Sequence, residues 1–308
     1  IADLWAALSG GPHGSNGAAN IGVVVQNPNN GQILAVASSE PYDLNNPRDL
    51  TPFYSDMDIS LMNDETMLEN LQKLWQNYCI SSAYEPGSTF KPFTIAGALE
   101  AGVISEDSTY YCDGLQKFGQ NDEIHCSIYP AGHGQLDLAG SLMVSCNDAM
   151  MQISKKMGAS QFLKYQENYG FGSRTGVDLP GEASGTLFTE DGLGVVELAT
   201  SSFGQGFTCT MLQEINAFSS VINGGNLYQP RIVREIRSSS GAVVQSNEPV
   251  LIRQTASTEV SNEVRDYLET VTSLRGSGKY AKVNGYSMGG KTGTAQKLRE
   301  GPGKYLVS

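Results

Sequence analysis

No apolar run in this chain of 308 residues approaches the length of a membrane span. No pattern of a secretory leader stands at Ile1. Cations are few: 20 Lys and Arg against 32 Asp and Glu give a net charge of −12 and a pI near 4.7. That balance argues against a nucleic-acid partner and against a polybasic membrane-binding face. Cysteine is too sparse for a disulfide scaffold. Cys79, Cys112, Cys126, Cys146 and Cys209 make an odd count, so at least one thiol stays free within a monomer. Cys112 and Cys126 flank a short polar loop, and a pair formed in an oxidising compartment and two free thiols both stay open there. The set Cys112, His125, Cys126 and His133 matches no common zinc-finger spacing, so the histidines read as loop or core hydrogen-bonding groups. Repeats and low-complexity tracts are missing as well. What remains is an ordinary globular composition, 40% hydrophobic and 17% charged. The length suffices to bury a large core, as one domain or two lobes.

Taken in order, residues 1–8 read as a helical turn or two, and residues 9–20 as a glycine-rich linker. Residues 21–26 and 32–38 read as a hairpin of buried-strand type around Asn27-Pro28-Asn29-Asn30-Gly31. Residues 39–62 read as an extended crossover. From about 64 to 225 the pattern is mainly helical, with 110–134 irregular and polar and 136–143 a short helix. Thr210 and Gln213 predict a capping box for a helix carrying Leu212, Ile215, Phe218, Val221 and Ile222. Beyond it, 231–236 and 242–245 read as a hairpin, 250–254 as a strand and 259–273 as an amphipathic helix. Residues 287–295 read as a strand. Strands thus lie at both ends of the chain with helices between. The expected fold is α/β: one antiparallel sheet assembled from the two ends, a mainly helical lobe inserted, and a cleft at the seam.

Three segments carry the chemistry. Ser88 and Lys91 in Glu85-Pro86-Gly87-Ser88-Thr89-Phe90-Lys91-Pro92 stand three apart at a helix start, so they share a face. Pro86-Gly87 is a turn signal, Pro92 is tolerable in a first turn, and Gly102 can end the helix. A serine becomes a nucleophile when a base takes its proton, and a lysine is that base only when burial or a second cation makes it neutral. Arginine could not serve. Alone, the pair also fits an N-cap serine beside a solvated lysine. Ser145-Cys146-Asn147 between two helical stretches, and Lys291-Thr292-Gly293-Thr294 at the end of a glycine-marked run, complete the S-x-x-K, S-x-N, K-T-G order of serine β-lactamases and penicillin-binding proteins.

With these motifs, and with Gly204-Gln205-Gly206 and Gly290-Lys291-Thr292-Gly293-Thr294-Ala295-Gln296, the chain from about Ile21 to Ser308 resembles the transpeptidase domain of a class B, monofunctional penicillin-binding protein. Cys146 stands where aspartate is common, at a position that varies in the family. The resemblance implies a serine-type D,D-transpeptidase that needs no cofactor and cross-links peptidoglycan stem peptides through an acyl-enzyme. β-Lactams would acylate the same serine. In this reading Ser88 is the nucleophile and Lys91 the general base. Ser145 is a proton relay, Asn147 a partner of Lys91 and of the substrate amide, and Lys291 the second cation. Thr292 and Thr294 would hold a terminal carboxylate, and Gly293 would let the strand approach the ligand. The N–H groups of Ser88 and Thr294 would form the oxyanion hole. Gly204-Gln205-Gly206 reads either as cleft lining or as a turn between helices.

The resemblance further implies residues 1–20 as a lead-in and 21–308 as the domain. Family domains continue past Lys304-Tyr305-Leu306-Val307-Ser308 with two more strands and a helix, so the expectation is a domain incomplete at that end. It also implies a place on the extracytoplasmic face of a bacterial membrane, with cell-wall synthesis proteins as partners of a longer parent in cell division or cell shape. A β-lactamase or β-lactam sensor, and a non-catalytic wall-binding or scaffold module, remain alternative readings.

Overall fold

The computed structural model describes residues 20–39, 41–119, 122–298 and 305–307. The lead-in predicted over residues 1–19 lies outside them. The fold class is the α/β one expected: helices dominate the middle of the chain, and every strand pairing within the sheets is antiparallel. No helix among the described residues is long and apolar enough to cross a membrane.

The first hairpin pairs Gly22–Gln26 with Ile33–Ser38. It reads as buried in sequence, yet Val23, Val25 and Leu34 are exposed. The reason is one-sided packing. Val24 and Val36 pack against Ile33, Ile80, Val177 and Leu212, while Val23 and Val25 point to the other face of the pleat and Leu34 stands unpaired at the register shift between Val25 and Gln26. Gln26 is tied to the central helix Met211–Ile222, donating to Asn216 Oδ1 at 2.8 Å and accepting from Ser219 Oγ. That helix opens on the predicted capping box, with Thr210 and Gln213 each satisfying the other's backbone. The larger core gathers around helix Lys91–Glu100, where Phe93 and the preceding Phe90 meet Phe162, Tyr169, Phe171, Phe207 and Phe218. Gly102, with φ +66°, follows its end.

Four readings are corrected. Residues 39–62 are not wholly extended, because Ser55 caps a short helix, Asp56–Leu61, by accepting from Asp58 N. Residues 110–134 are not irregular: Thr109–Cys112 pairs with Gly134–Asp137, and Leu115–Phe118 with Asp122–His125. The helix expected from 136 begins at Leu138, where Asp137 caps it. Residues 287–295 run without a ladder. The strand there is Gln296–Leu298, which pairs with Tyr305–Val307. Among the described residues the strands form two-stranded ladders, and the first hairpin shares none with Gln296–Leu298.

Candidate active site

The turn that carries Ser88 is tight on both sides. Gly87 has φ +58°, and a Cβ there would stand 2.3 Å from the carbonyl oxygen of Thr294. A Cβ on Gly293 would lie 2.8 Å from Thr89 Cγ2 and 3.1 Å from Pro86 O. Residues 292–295 therefore run backbone against backbone past residues 86–89, which only glycine allows at these two points. Gly204 O accepts from Gly87 N at 2.8 Å, and Glu85 Oε1 accepts from Gly206 N at 3.0 Å. Ser88 itself lies in a 3-10 turn, Gly87–Phe90, that runs directly into helix Lys91–Glu100. The first N–H groups of such a start have no intrahelical acceptor and form its positive pole.

Lys91 is fully buried. Its Nζ reaches Ser145 O at 2.5 Å, Asn147 Oδ1 at 2.6 Å and Ser145 Oγ at 3.0 Å. Ser145 has φ +57°, the one positive value outside glycine among the described residues. A non-glycine residue there costs about 1–3 kcal/mol. The conformation turns both the carbonyl and the hydroxyl of Ser145 onto the same amine. Lys291 Nζ arrives from the other side, donating to Ser145 Oγ at 2.8 Å and to Thr292 O at 2.9 Å. Two lysines thus share one hydroxyl.

Their protonation differs. Burial, and after it the charge of Lys291, bring Lys91 down to about 7, against smaller opposing effects of Cys146 and Cys126. Burial brings Lys291 down to about 8. Lys91 gives up its proton first and Lys291 stays the cation. Ser145 O can only accept, and so does the amide oxygen of Asn147. A neutral Lys91 has two N–H groups for these two and a lone pair left over for a hydroxyl proton.

Ser88, Ser145, Asn147, Thr292 and Thr294 line one cleft of about 590 Å³. Lys91 Nζ lies behind Ser145 and Asn147. Lys91 N donates to Ser88 O, so the pair sits one turn apart as the spacing implies. The hydrogen bonds of Lys91 Nζ go to Ser145 and Asn147 and not to the Ser88 hydroxyl. The sequence reading missed the far wall, made of Phe203 and of Glu123, Ile124, His125 and Ser127. His125 stacks flat on Tyr129 with ring centroids 3.9 Å apart, and its Nε2 lies 3.7 Å from Glu123 Oε2. Gln205 also lines the cleft, so Gly204-Gln205-Gly206 fills both roles expected of it.

Residues 21–308 match the family described as penicillin binding protein transpeptidase domain. Stage V sporulation protein D of Bacillus subtilis (strain 168) is 37% identical over 284 residues, which are 92% of this chain and 40% of the relative. The D,D-transpeptidase domain of a peptidoglycan glycosyltransferase from Eggerthella lenta superposes with a TM-score of 0.77 at 28% identity, covering 91% of this chain and 68% of that one. Penicillin-binding protein 3 of Mycobacterium tuberculosis, solved in complex with aztreonam, also gives 0.77 at 28% identity, covering 98% of this chain and 62% of that one. This chain spans about two fifths of the length of the curated relatives it matches, such as the 40% for the Bacillus subtilis protein.

Proposed function

The chain belongs to the penicillin-binding protein transpeptidase family, and from that premise we propose that it cross-links peptidoglycan stem peptides through an acyl-Ser88 intermediate. Neutral Lys91 takes the Ser88 proton as the hydroxyl oxygen attacks the carbonyl of a D-alanyl-D-alanine stem. The N–H groups of Ser88 and Thr294 hold the oxyanion; one such donor typically contributes about 10²–10³ in rate. Ser145, which bridges the two lysines, passes the proton to the departing D-alanine amine. An amine of a neighbouring stem then attacks the acyl-enzyme and forms the cross-link, releasing Ser88 with its proton restored. The Lys291 cation and the hydroxyls of Thr292 and Thr294 hold the terminal carboxylate of the donor.

A β-lactam enters by the same route. Its leaving amine stays tethered to the acyl group, so the acyl-Ser88 persists. Peptidoglycan lies outside the cytoplasmic membrane. The domain accordingly works on that face, within a longer protein and beside other cell-wall synthesis proteins.

The observation that carries this reading is the shared Ser145 hydroxyl, bonded to a fully buried lysine on one side and to Lys291 on the other. No structural need explains two amines facing one hydroxyl, whereas proton transfer uses both. The test is intact mass after exposure to penicillin. The wild type gains one penicilloyl adduct and Ser88→Ala gains none. Equal labelling of the two proteins would remove the proposal. Deacylation over minutes or longer fits a transpeptidase, and sub-second turnover would make the chain a β-lactamase.

A further inference from the structure

Directly behind the Ser145 turn lies a second cluster that the acyl transfer does not use. Cys112 ends the strand Thr109–Cys112, Cys126 follows the strand Asp122–His125, His133 precedes the strand Gly134–Asp137, and Cys146 caps the helix Asn147–Met157. Four separate pieces of chain bring three thiols and one imidazole together. Their ligand atoms all lie within 4.8 Å of one another. The three cysteines are 1%, 3% and 0% exposed.

The spacing within the cluster is informative. With Zn–S bonds of about 2.3 Å and Zn–N bonds of about 2.0–2.1 Å, a tetrahedral centre sets S···S edges of about 3.8 Å and S···N edges of about 3.6 Å. Cys126 Sγ lies 3.9 Å from Cys146 Sγ, and His133 Nδ1 lies 3.5 Å from Cys112 Sγ and 3.6 Å from Cys126 Sγ. These three of the six edges match a tetrahedron around one ion, and the other three are no longer than 4.8 Å. A disulfide needs about 2.05 Å between sulfurs, and no cysteine among the described residues is so bonded. Carboxylates are absent from the set, and soft thiolate donors with an imidazole select zinc over calcium or magnesium. Cys146 is also an uncommon N-cap type. Its sulfur accepts from Ala149 N at 3.4 Å, the kind of N–H···S contact that orients a metal-bound thiolate.

We propose that Cys112, Cys126, His133 and Cys146 bind one structural zinc ion that fixes the turn holding Ser145. On binding, the three thiols release their protons to solvent and the imidazole enters neutral, so the centre carries a net charge of −1. Cys146 stands between Ser145 and Asn147, the two residues that hold Lys91. Ser145 is the residue with the unfavourable φ. An ion fixing Cys146 to two β-ladders keeps that conformation from relaxing. The sequence hid the set because its fourth member lies 20 residues beyond Cys126, inside a motif already claimed for catalysis. His125, the histidine that sequence spacing offers beside Cys126, is turned away onto Tyr129.

The test is zinc content and cobalt substitution of the whole purified chain, kept reduced. The wild type retains about one zinc per chain after dialysis. Cobalt(II) in its place gives the intense visible bands of a tetrahedral thiolate site. His133→Ala, at a half-buried position, keeps its far-ultraviolet circular dichroism but loses zinc affinity by at least about tenfold. Chelation lowers the wild-type Tm and slows its acylation by penicillin. Ser88→Ala keeps its zinc and the Tm loss on chelation although nothing acylates it, so failure of the metal site and failure of the acyl-enzyme reading are distinguishable. Zinc-free protein with no cobalt bands would overturn the proposal. So would zinc unchanged in His133→Ala, or a Cys126–Cys146 disulfide as the resting state of the isolated protein.

Discussion

At Lys91 burial outweighs the partners. Desolvation disfavours the ammonium, and two of the contacts, Ser145 O and the amide oxygen of Asn147, are fully served by a neutral amine. Folding therefore releases a proton from this residue between about 7 and the ordinary value of 10.5. The unfolded chain binds more protons in that window, so the Lys91 contribution to stability rises with pH across it and is lowest below 7. The same sign governs catalysis. The rate of acylation by penicillin rises as Lys91 loses its proton near pH 7 and falls as Lys291 loses its charge near pH 8. Stopped-flow rates across pH 5–10 are expected to trace this bell. In Lys291→Arg the alkaline limb disappears, because a guanidinium does not deprotonate in proteins. The acid limb stays close to 7, since burial is its first cause and a cation remains. An alkaline limb unchanged in that variant would show that Lys291 is not the group that titrates there.

The elements meet at the contact of residues 292–295 with the Ser88 turn, and there the close approach at Gly293 is the point to press. A methyl group on Gly293 would meet Thr89 Cγ2 at 2.8 Å and Pro86 O at 3.1 Å, so Gly293→Ala must move one segment away from the other. A displacement of about 1 Å can cost about 10²-fold in rate, and that is the fall expected in acylation. Tm is expected to change little, because Gly293 is exposed and makes no core. Acylation at the wild-type rate would show that this contact does not set the distance between Ser88 and Thr294. The same elements show what sequence reveals. The first hairpin, the helix at Thr258–Val271 and the capping box were legible because each rests on local signals: turn residues, period and a reciprocal cap. The four strands between Thr109 and Asp137 were not. They are four residues long, show no sustained apolar alternation, and exist through pairing across loops. The residues of the three motifs were legible from type and spacing. The way Ser145 faces both amines was not, because a positive φ at a serine leaves no mark in sequence.

On the scale of the whole molecule, the helix Met211–Ile222 is the element that both cores share. It touches the first strand, the short helix Tyr78–Ser81, the Lys91–Glu100 helix and the Thr258–Val271 helix. Leu212, 0% exposed, packs with Ile33, Ile80 and Val177 in the small core under the hairpin, while Ala217 and Val221 belong to the large one. A helix that cannot leave one core without leaving the other couples the two, so the described residues are expected to unfold together. Leu212→Ala tests this. Removing a fully buried leucine costs about 2–5 kcal/mol, which corresponds to a Tm lower by roughly 3–8 °C at this size. In a Trp5→Phe background Trp75 is the single tryptophan, and it lines one hollow with Val36 and Ile80 on the hairpin side. Its fluorescence reports the small core, and far-ultraviolet circular dichroism reports the helices. In a coupled molecule both transitions of Leu212→Ala fall by the same amount and stay superimposed. If fluorescence melts first while the helical signal holds its wild-type midpoint, the hairpin with its small core is a separate unit. The catalytic cleft would then owe its stability to the large core alone.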